Sequence, residues 1–157
     1  MNDRVKIKVL FLCTGNSCRS QMAEGWAKKL KGNIMEVWSA GIEKHGLNRR
    51  AVRAMMESSV DISNHYSKTV SELPSLDFDY VVTVCGHANE NCPLFPGKAK
   101  IVHRGFEDPP KLVAGAKDIE EEMLPYRRVR DEIRRFVEGM PENLSQAQKD
   151  SGKKGRA

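Results

Sequence analysis

Short apolar runs alternate along the chain with longer stretches in which apolar residues recur every three or four positions. The runs predict β-strands over residues 5–12, 35–39, 80–84 and 100–103. The three- and four-residue spacing predicts helices over residues 17–31, 47–58 and 118–137, and Pro125 is expected to kink or divide the last one. Strands that alternate with helices favour right-handed βαβ units. We therefore expect an α/β fold, a single domain with a parallel four-stranded sheet flanked by helices.

The loop after the first predicted strand has the composition of an anion-binding site. Cys13 follows the apolar residues 9–12, and five residues that include Gly15 and Asn16 separate it from Arg19. Such residues let the backbone curl until several N–H groups converge at a helix N-terminus, a nest that binds anions. The helix dipole, these N–H groups and the Arg19 guanidinium all favour negative charge, so they also favour the Cys13 thiolate. The planar fork of Arg19 can clamp two oxygens of the bound group. We expect a nucleophilic thiol beneath a bound oxyanion; the alternative is a buried cysteine followed by a surface arginine.

The remaining polar residues around this loop are expected to contact the oxyanion. They are Thr14, Gly15, Asn16, Ser17, Cys18 and Ser20. Ser17 and Ser20 would hold the loop or hydrogen-bond the Cys13 thiolate, although serine at these positions also suits a helix cap.

The segment CTGNSCRSQMAEGW resembles the phosphate-binding loop of the low-molecular-weight tyrosine phosphatase superfamily, and more closely that of its thioredoxin-coupled arsenate reductase branch. The resemblance runs from about residue 5 to residue 137 and includes WSAGIEKHG, DISNH, VVTVC, NCP, GFEDP and RRVRDEI. It implies a phosphatase-like domain of flavodoxin-like topology over residues 1–140, and it implies no cofactor. The implied substrate is arsenate, with phosphate or sulfate as competing anions. Cys18 would support the loop or contact the anion, without turning over itself.

Four cysteines, Cys13, Cys18, Cys85 and Cys92, are present. Their spacings are wider than that of a zinc knuckle, so we expect no metal site. Cys85 ends a predicted strand, whereas Cys92 follows a polar, turn-rich stretch. If residues 85–92 are helical, the two Cα atoms lie about 10 Å apart, beyond the ~7 Å reach of a disulfide, so the pair can bond only if the segment unwinds. The alternative is that Cys85 is a buried apolar residue and Cys92 a loop thiol.

The resemblance to the reductase branch implies a thiol cascade. Cys13 attacks arsenic, Cys85 then attacks Cys13 so that arsenite leaves, and Cys92 attacks Cys85 to free Cys13. The disulfide between Cys85 and Cys92 is the form that thioredoxin, the implied electron donor, would reduce.

Asp108 lies in the segment GFEDPP after the last predicted strand, so its loop can reach the sheet edge that carries Cys13. Pro109 keeps Asp108 out of helical geometry. On the residues alone Asp108 is a turn residue; resemblance to the superfamily's Asp-Pro loop implies that it protonates the leaving oxygen. The phosphatases usually continue with tyrosine, whereas this chain continues with Pro110 and Lys111, which disfavours a phosphatase.

A further set of residues corresponds to a potassium site in the reductase branch. Asn16, Glu24 and Ser39 match three positions of that site, but Lys68 stands where an aspartate is usual. A lysine cannot ligate a cation. We expect its ammonium to take the place of the ion and to donate to Glu24 and the loop oxygens; the alternative is a solvated surface lysine. Among the histidines, only His65 is expected to neighbour the site, and His45, His87 and His103 are expected at the surface or at strand ends.

The charge and hydropathy of the chain exclude some classes of partner. Three of the five net positive charges fall in residues 145–157, and the remainder is too small to predict nucleic-acid binding. We expect residues 141–157 to form a disordered basic tail. The chain has no apolar run of membrane-spanning length, and Asp3, Arg4, Lys6 and Lys8 interrupt the N-terminus. These features predict a cytoplasmic protein with no membrane partner.

Arsenate reduction is the function that these residues and the resemblance favour. Two alternatives stay open at this point, a low-molecular-weight protein tyrosine phosphatase and a non-catalytic oxyanion or redox sensor. Arsenate-dependent oxidation of reduced thioredoxin would separate the three.

Overall fold

Four short strands of mostly apolar residues pair in parallel to form one sheet. The structure is a computed structural model in which residues 5–97 and 99–145 are described. The strands are β1 (Ile7–Cys13), β2 (Met35–Gly41), β3 (Tyr80–Thr83) and β4 (Lys100–His103). Their order in the sheet is β2-β1-β3-β4, and all three pairings are parallel. The predicted α/β class and the four-stranded parallel sheet are confirmed.

Three of the helices lie where the apolar spacing predicts them, namely α1 (Arg19–Lys31), α2 (Arg49–Glu57) and α4 (Ile119–Glu138). The fourth, α3 (Gly86–Glu90), is a five-residue helix that lies between Cys85 and Cys92. Pro125 does not divide α4, which continues through it as one element. Buried residues on both sides of that proline anchor the helix to the core: Met123 before it, and Tyr126, Val129, Ile133 and Val137 after it.

The core is formed by the sheet and the helices that cover it. Residues 9–12 of β1 are fully buried, as expected for the central part of a parallel sheet that is covered on both faces. Helix α1 packs against β1 and β2 and also contacts α2 and α4. Trp26 of α1 is buried at this helix junction and donates through its indole N–H to the carbonyl oxygen of Arg130.

The packed part of the chain continues past the predicted boundary at residue 140. Met140 and Leu144 are fully buried, and the Leu144 amide donates to the Pro141 carbonyl at 3.0 Å. The ordered fold therefore includes residues 141–145, because an apolar side chain at Leu144 completes the core. Residues 146–157, the rest of the predicted tail, lie outside the described residues. Within the described ranges, no helix is long and apolar enough to cross a membrane.

The carboxyl ends of the central strands bring the chemically important residues together. Cys13 is the last residue of β1, and Cys85 follows β3, the strand next to it. The Val84 amide donates to the Leu12 carbonyl, and the Phe106 amide donates to the Val84 carbonyl. These bonds extend the sheet edge to the segment that leads to Asp108. Ligands of open parallel sheets bind at this edge.

Candidate active site

The loop between β1 and α1 lines one side of a cavity of about 380 Å³. The lining residues of the loop are Cys13, Thr14, Gly15, Ser17, Cys18 and Arg19. Across the cavity lie His45, Asp108, Pro110 and Lys111. Asn16 and Ser20 are fully buried behind the loop and are not among the residues that line the cavity. That both contact the oxyanion stays a prediction.

Asn16 is the centre of a buried hydrogen-bond network behind the loop. Its φ of 48° lies in the left-handed region, which asparagine tolerates better than most residues. Its amide nitrogen donates to the hydroxyls of Ser20 (2.8 Å) and Ser39 (3.0 Å). Its amide oxygen accepts from the side chain of Gln21 and the backbone of Lys68, each at 3.0 Å. A satisfied buried polar network of this kind fixes the shape of the loop.

The Cys13 thiol lies at the N-terminal end of α1 and is 3% exposed. Its sulfur is 2.9 Å from the Ser20 hydroxyl in the first turn of that helix. Because the Ser20 oxygen already accepts a hydrogen from Asn16, its own hydrogen is free to point at the sulfur. The hydroxyl hydrogen and the positive end of the helix dipole are thus both directed at the sulfur.

Arg19 connects the anion loop to the segment that carries Asp108. One terminal nitrogen of its guanidinium donates to the Phe106 carbonyl at 3.0 Å, and the other lies 3.5 Å from an Asp108 carboxylate oxygen. Both side chains are mostly buried at the cavity wall. Asp108 has an extended backbone, as the Pro109 that follows it predicts, and it immediately precedes the 3₁₀ turn Pro109–Leu112. The arginine and the carboxylate therefore face the same cavity as Cys13.

Cys18 differs from Cys13 although both lie in the loop. Burial raises the pKa of the Cys18 thiol well above its usual range, and the nearby Asp108 and Cys13 add to the shift. The side chain is almost fully buried and lines the cavity wall. Cys18 thus remains a neutral thiol, which suits the predicted supporting role.

Cys85 lies close to the anion loop and is buried. Its sulfur is 3.2 Å from the hydroxyl of Thr14, the residue that follows Cys13, and it accepts from the Ala88 amide at 3.4 Å. Cys85 is therefore both the N-terminal cap of α3 and a neighbour of the loop. Cys13 ends β1, and Cys85 lies two residues after the end of the adjacent strand β3, at the same sheet edge.

Cys92 lies two residues beyond α3 and is half-buried, and burial raises the pKa of its thiol. All four cysteines are free thiols. Residues 86–90 between the two cysteines are helical, and a helix that continued over residues 85–92 would hold the two Cα atoms about 10 Å apart, outside disulfide reach. That Cys85 and Cys92 can form a disulfide only if this segment unwinds stays a prediction.

Lys68 departs from its predicted contacts. Its ammonium lies 3.4 Å from the Tyr66 carbonyl and over the Tyr66 ring, 4.7 Å from the ring centre. Within the described residues, the Glu24 carboxylate pairs instead with Lys28 and accepts a hydrogen bond from Ser39. Lys28 is one helical turn after Glu24, so it reaches the carboxylate more easily than a side chain from another segment.

The alternative of a solvated surface lysine is also wrong, since Lys68 is only 6% exposed. Burial lowers its pKa. An ammonium and a carboxylate already paired with Lys28 do not fit a bound potassium ion. Nor does any group of three or more His, Cys, Asp or Glu residues able to hold a metal occur in the part of the chain that the structure describes.

The sequence does not predict the contacts that two residues, His45 and Gln21, make with the loop. The His45 ring packs against Gly15 so closely that a side chain on Gly15 would overlap it, and it lines the cavity. Gln21 donates to both oxygens of Asn16 and accepts from His65 at 2.9 Å. His65 therefore lies near the site, as predicted, and it contacts the loop through Gln21. Both contacts join segments distant in the chain, so no local pattern indicates them.

Comparison with known proteins agrees with this geometry. Residues 8–150 match the family described as low molecular weight phosphotyrosine protein phosphatase. The arsenate reductase of Halalkalibacterium halodurans is 50% identical over 142 residues, which cover 90% of this chain and 98% of that protein.

Two solved structures have the same fold. One is an arsenate reductase in the phosphate binding state, with a TM-score of 0.66, 30% identity, and coverage of 88% of this chain and 98% of that chain. The other is a low molecular weight protein tyrosine phosphatase from T. tengcongensis, with a TM-score of 0.66, 27% identity, and coverage of 88% and 100% respectively. The sheet order, the loop after β1 and these matches together establish that the chain belongs to the low molecular weight phosphotyrosine protein phosphatase family.

Proposed function

We propose that this protein reduces arsenate to arsenite through a cascade of three thiols, Cys13, Cys85 and Cys92. One observation carries the proposal: the Cys85 sulfur lies 3.2 Å from Thr14 in the anion loop, beside the nucleophile. Hydrolysis of a phosphate ester would need the loop and Asp108 but not this second thiol. The arsenate reductase names of the relatives support the same choice.

The first step is substitution at arsenic. Arsenate binds in the loop, where the backbone amides and the Arg19 guanidinium hold its oxygens. The Cys13 thiolate forms a bond to arsenic, and an oxygen leaves as water after Asp108 supplies a proton. Phosphate and sulfate have the same shape and charge type and would compete for the loop.

The second step transfers the electrons. The Cys85 thiolate attacks the Cys13 sulfur, the sulfur–arsenic bond breaks, and its electron pair remains on arsenic. Arsenic(V) is reduced to arsenite, and the two thiols are oxidised to a disulfide. The hydrogen bond between the Thr14 hydroxyl and the Cys85 sulfur holds that sulfur beside the anion loop, in reach of the Cys13 adduct.

The third step frees the nucleophile. After residues 85–92 unwind, the Cys92 thiolate attacks Cys85, and Cys13 leaves as a thiolate. The new disulfide between Cys85 and Cys92 is reduced by a dithiol donor, for which we propose thioredoxin. A cycle that starts from three reduced thiols suits a reducing compartment, so we propose that it runs in the cytoplasm.

A tyrosine phosphatase is the second candidate, because the family match and the Arg19–Asp108 pair suit phosphate esters. The cavity wall argues against an aryl substrate. Pro110 and Lys111 line it, and no Phe, Tyr or Trp of the described residues does so. An aromatic substrate would therefore lack a stacking partner.

The test is arsenate-dependent oxidation of reduced thioredoxin by the wild type, Cys85→Ser and Cys92→Ser. We expect sustained turnover only from the wild type. Cys92→Ser should release about one arsenite per enzyme and retain a Cys13–Cys85 disulfide, identified by mass spectrometry after alkylation. Cys85→Ser should release none.

Hydrolysis of an aryl phosphate is the matched control, since it needs only Cys13, Arg19 and Asp108. Any such activity should survive both substitutions. Sustained turnover by either variant would refute the cascade, and hydrolysis without arsenate reduction by the wild type would favour the phosphatase.

A further inference from the structure

Three polar side chains from β3, α3 and β4 form a hydrogen-bonded chain beside the redox cysteines. The Thr83 hydroxyl is fully buried at the end of β3. It donates to the side-chain oxygen of Asn89 in α3 at 3.2 Å, and it lies 2.8 Å from Nδ1 of His103 in β4. Thr83 and His103 are paired directly across the two strands.

The hydrogen count allows one arrangement in which every group of this chain is satisfied. A hydroxyl has one hydrogen, and the Asn89 oxygen can only accept. Thr83 therefore donates to Asn89 when Nδ1 of His103 carries its own hydrogen and donates to the Thr83 oxygen. In that arrangement all three groups are satisfied, and the buried hydroxyl is bound on both sides.

The Thr83–Asn89 bond holds α3 on the sheet. Within the described residues, it is the one hydrogen bond that joins a side chain of α3 to a strand. The other side-chain bond of α3 links His87 to Asn91 at its own C-terminal end, and Ala88 alone is buried. A five-residue helix is too short to be stable by itself, so its contacts with the sheet decide how often it opens.

We infer that Thr83 and Asn89 are positioning residues that control the opening of α3 and hence the rate at which Cys92 reaches Cys85. The inference rests on the proposed function for its consequence, because the third step needs residues 85–92 to unwind. Its structural part, the control of α3 opening, does not depend on any reaction. We call this bond the Thr83–Asn89 latch.

Asn89→Ala distinguishes the latch from the intrinsic helix propensity of α3. Alanine is the better helix former, so propensity alone predicts that this variant opens less often. Loss of the latch predicts the opposite sign, with opening about fivefold more frequent, since a single hydrogen bond contributes a factor of this order. Glu90→Ala is the control, because it raises the helix propensity in the same direction, by a smaller amount, at an exposed neighbour outside the latch.

The first measurement is amide exchange in the reduced protein, read by NMR at residues 89 and 91, whose amides donate within this segment. We expect about fivefold faster exchange in Asn89→Ala and in Thr83→Val, and no acceleration in Glu90→Ala. Thr83→Ser keeps the hydroxyl and should restore the wild-type rate. Exchange in Asn89→Ala that is no faster than in the wild type would overturn the latch.

The second measurement follows one turnover with arsenate, stopped by acid and mapped by mass spectrometry. Conversion of the Cys13–Cys85 disulfide to the Cys85–Cys92 disulfide should be about fivefold faster in Asn89→Ala, with arsenite release unchanged. Faster amide exchange without faster conversion would overturn the control of this step. If no variant reduces arsenate, the proposed function fails, and the exchange data still decide whether the latch exists.

Discussion

The anion loop (residues 13–19) and the segment from Cys85 to Cys92 (residues 85–92) meet at one sheet edge. Many side-chain hydrogen bonds fix the loop, whereas few fix the segment. Asn16 alone gives the loop four side-chain hydrogen bonds, and its side chain is 0% exposed. Most of α3 is exposed, and one side-chain bond joins it to the sheet among the described residues.

The contrast matches what each region has to do. An anion site is effective when its donors are already in place, because no reorganisation is then needed during the reaction. A segment that must unwind belongs to the least stable part of a fold. In the proposed cascade, the anion loop supplies a nucleophile that is held in place, and the exchange of disulfides depends on the weakly held helix beside it.

Arg19→Lys is expected to have the largest effect, which is a loss of activity. Lysine cannot clamp two oxygens, and it cannot keep both the hydrogen bond to the Phe106 carbonyl and the ion pair with Asp108. We expect arsenate reduction and any aryl-phosphate hydrolysis to fall together by about 100- to 1000-fold. Initial rates with each substrate measure this. Arg53→Lys, an exposed arginine of α2 paired with Glu57 and Glu120, is the control and should keep full activity. A similar small change in both variants would contradict the role of Arg19.

Asn16→Ala should lower the free energy of unfolding by about 3 kcal/mol, since it leaves several buried polar groups without partners. Asn91→Ala, at the exposed end of α3, should cost less than about 1 kcal/mol. Urea denaturation of the two variants compares the regions directly. Equal losses would remove the difference between a rigid loop and a weakly held segment.

The pH dependence of stability should report on the polar network behind the loop. Burial lowers the pKa of His65 from its ordinary 6.5, so the unfolded chain binds a proton that the folded protein does not. Stability therefore falls as the pH falls through about 6.5 toward the folded-state pKa. His65→Asn, which can still donate to Gln21, should flatten this part of the profile. Urea denaturation from about pH 7.5 to about pH 5 measures it, and identical slopes for both proteins would contradict the prediction.

The smallest effect concerns potassium. Since Lys68 supplies a buried positive charge beside the network, we expect no potassium-specific gain in activity or melting temperature. Potassium chloride and tetramethylammonium chloride at equal ionic strength provide the comparison. A gain should appear only in Lys68→Asp, and Lys68→Met is the control that removes the charge without adding a ligand. A marked gain in the wild type would refute the idea.

The sequence predicts the features that depend on neighbouring residues. The strands, three helices and the loop from Cys13 to Arg19 follow from apolar spacing and from a few residue types in a fixed order. The pairing of Glu24 with Lys28 was also available, because the two residues are four apart on a predicted helix. The predicted contact of Lys68 with Glu24 rests on the family's potassium site, and it is wrong because the nearer Lys28 occupies the carboxylate.

The features that the sequence does not predict join distant segments. The position of His45 over Gly15 depends on how the segment after β2 folds back. The chain from Asn89 through Thr83 to His103 depends on the register of β3 and β4, which apolar runs do not determine. Leu144 lies in a polar stretch whose composition predicts disorder, and only the finished core reveals its place.

Native-state amide exchange of the reduced protein at increasing urea tests the central claim most directly. The amides of Met22 and Glu43, which donate to the carbonyls of Cys18 and Thr14, report on the loop, and those of Asn89 and Asn91 report on α3. We predict that the loop amides exchange only through urea-dependent unfolding, whereas the α3 amides exchange much faster and with no urea dependence, through local opening. Equal protection and equal urea dependence in the two regions would contradict the account.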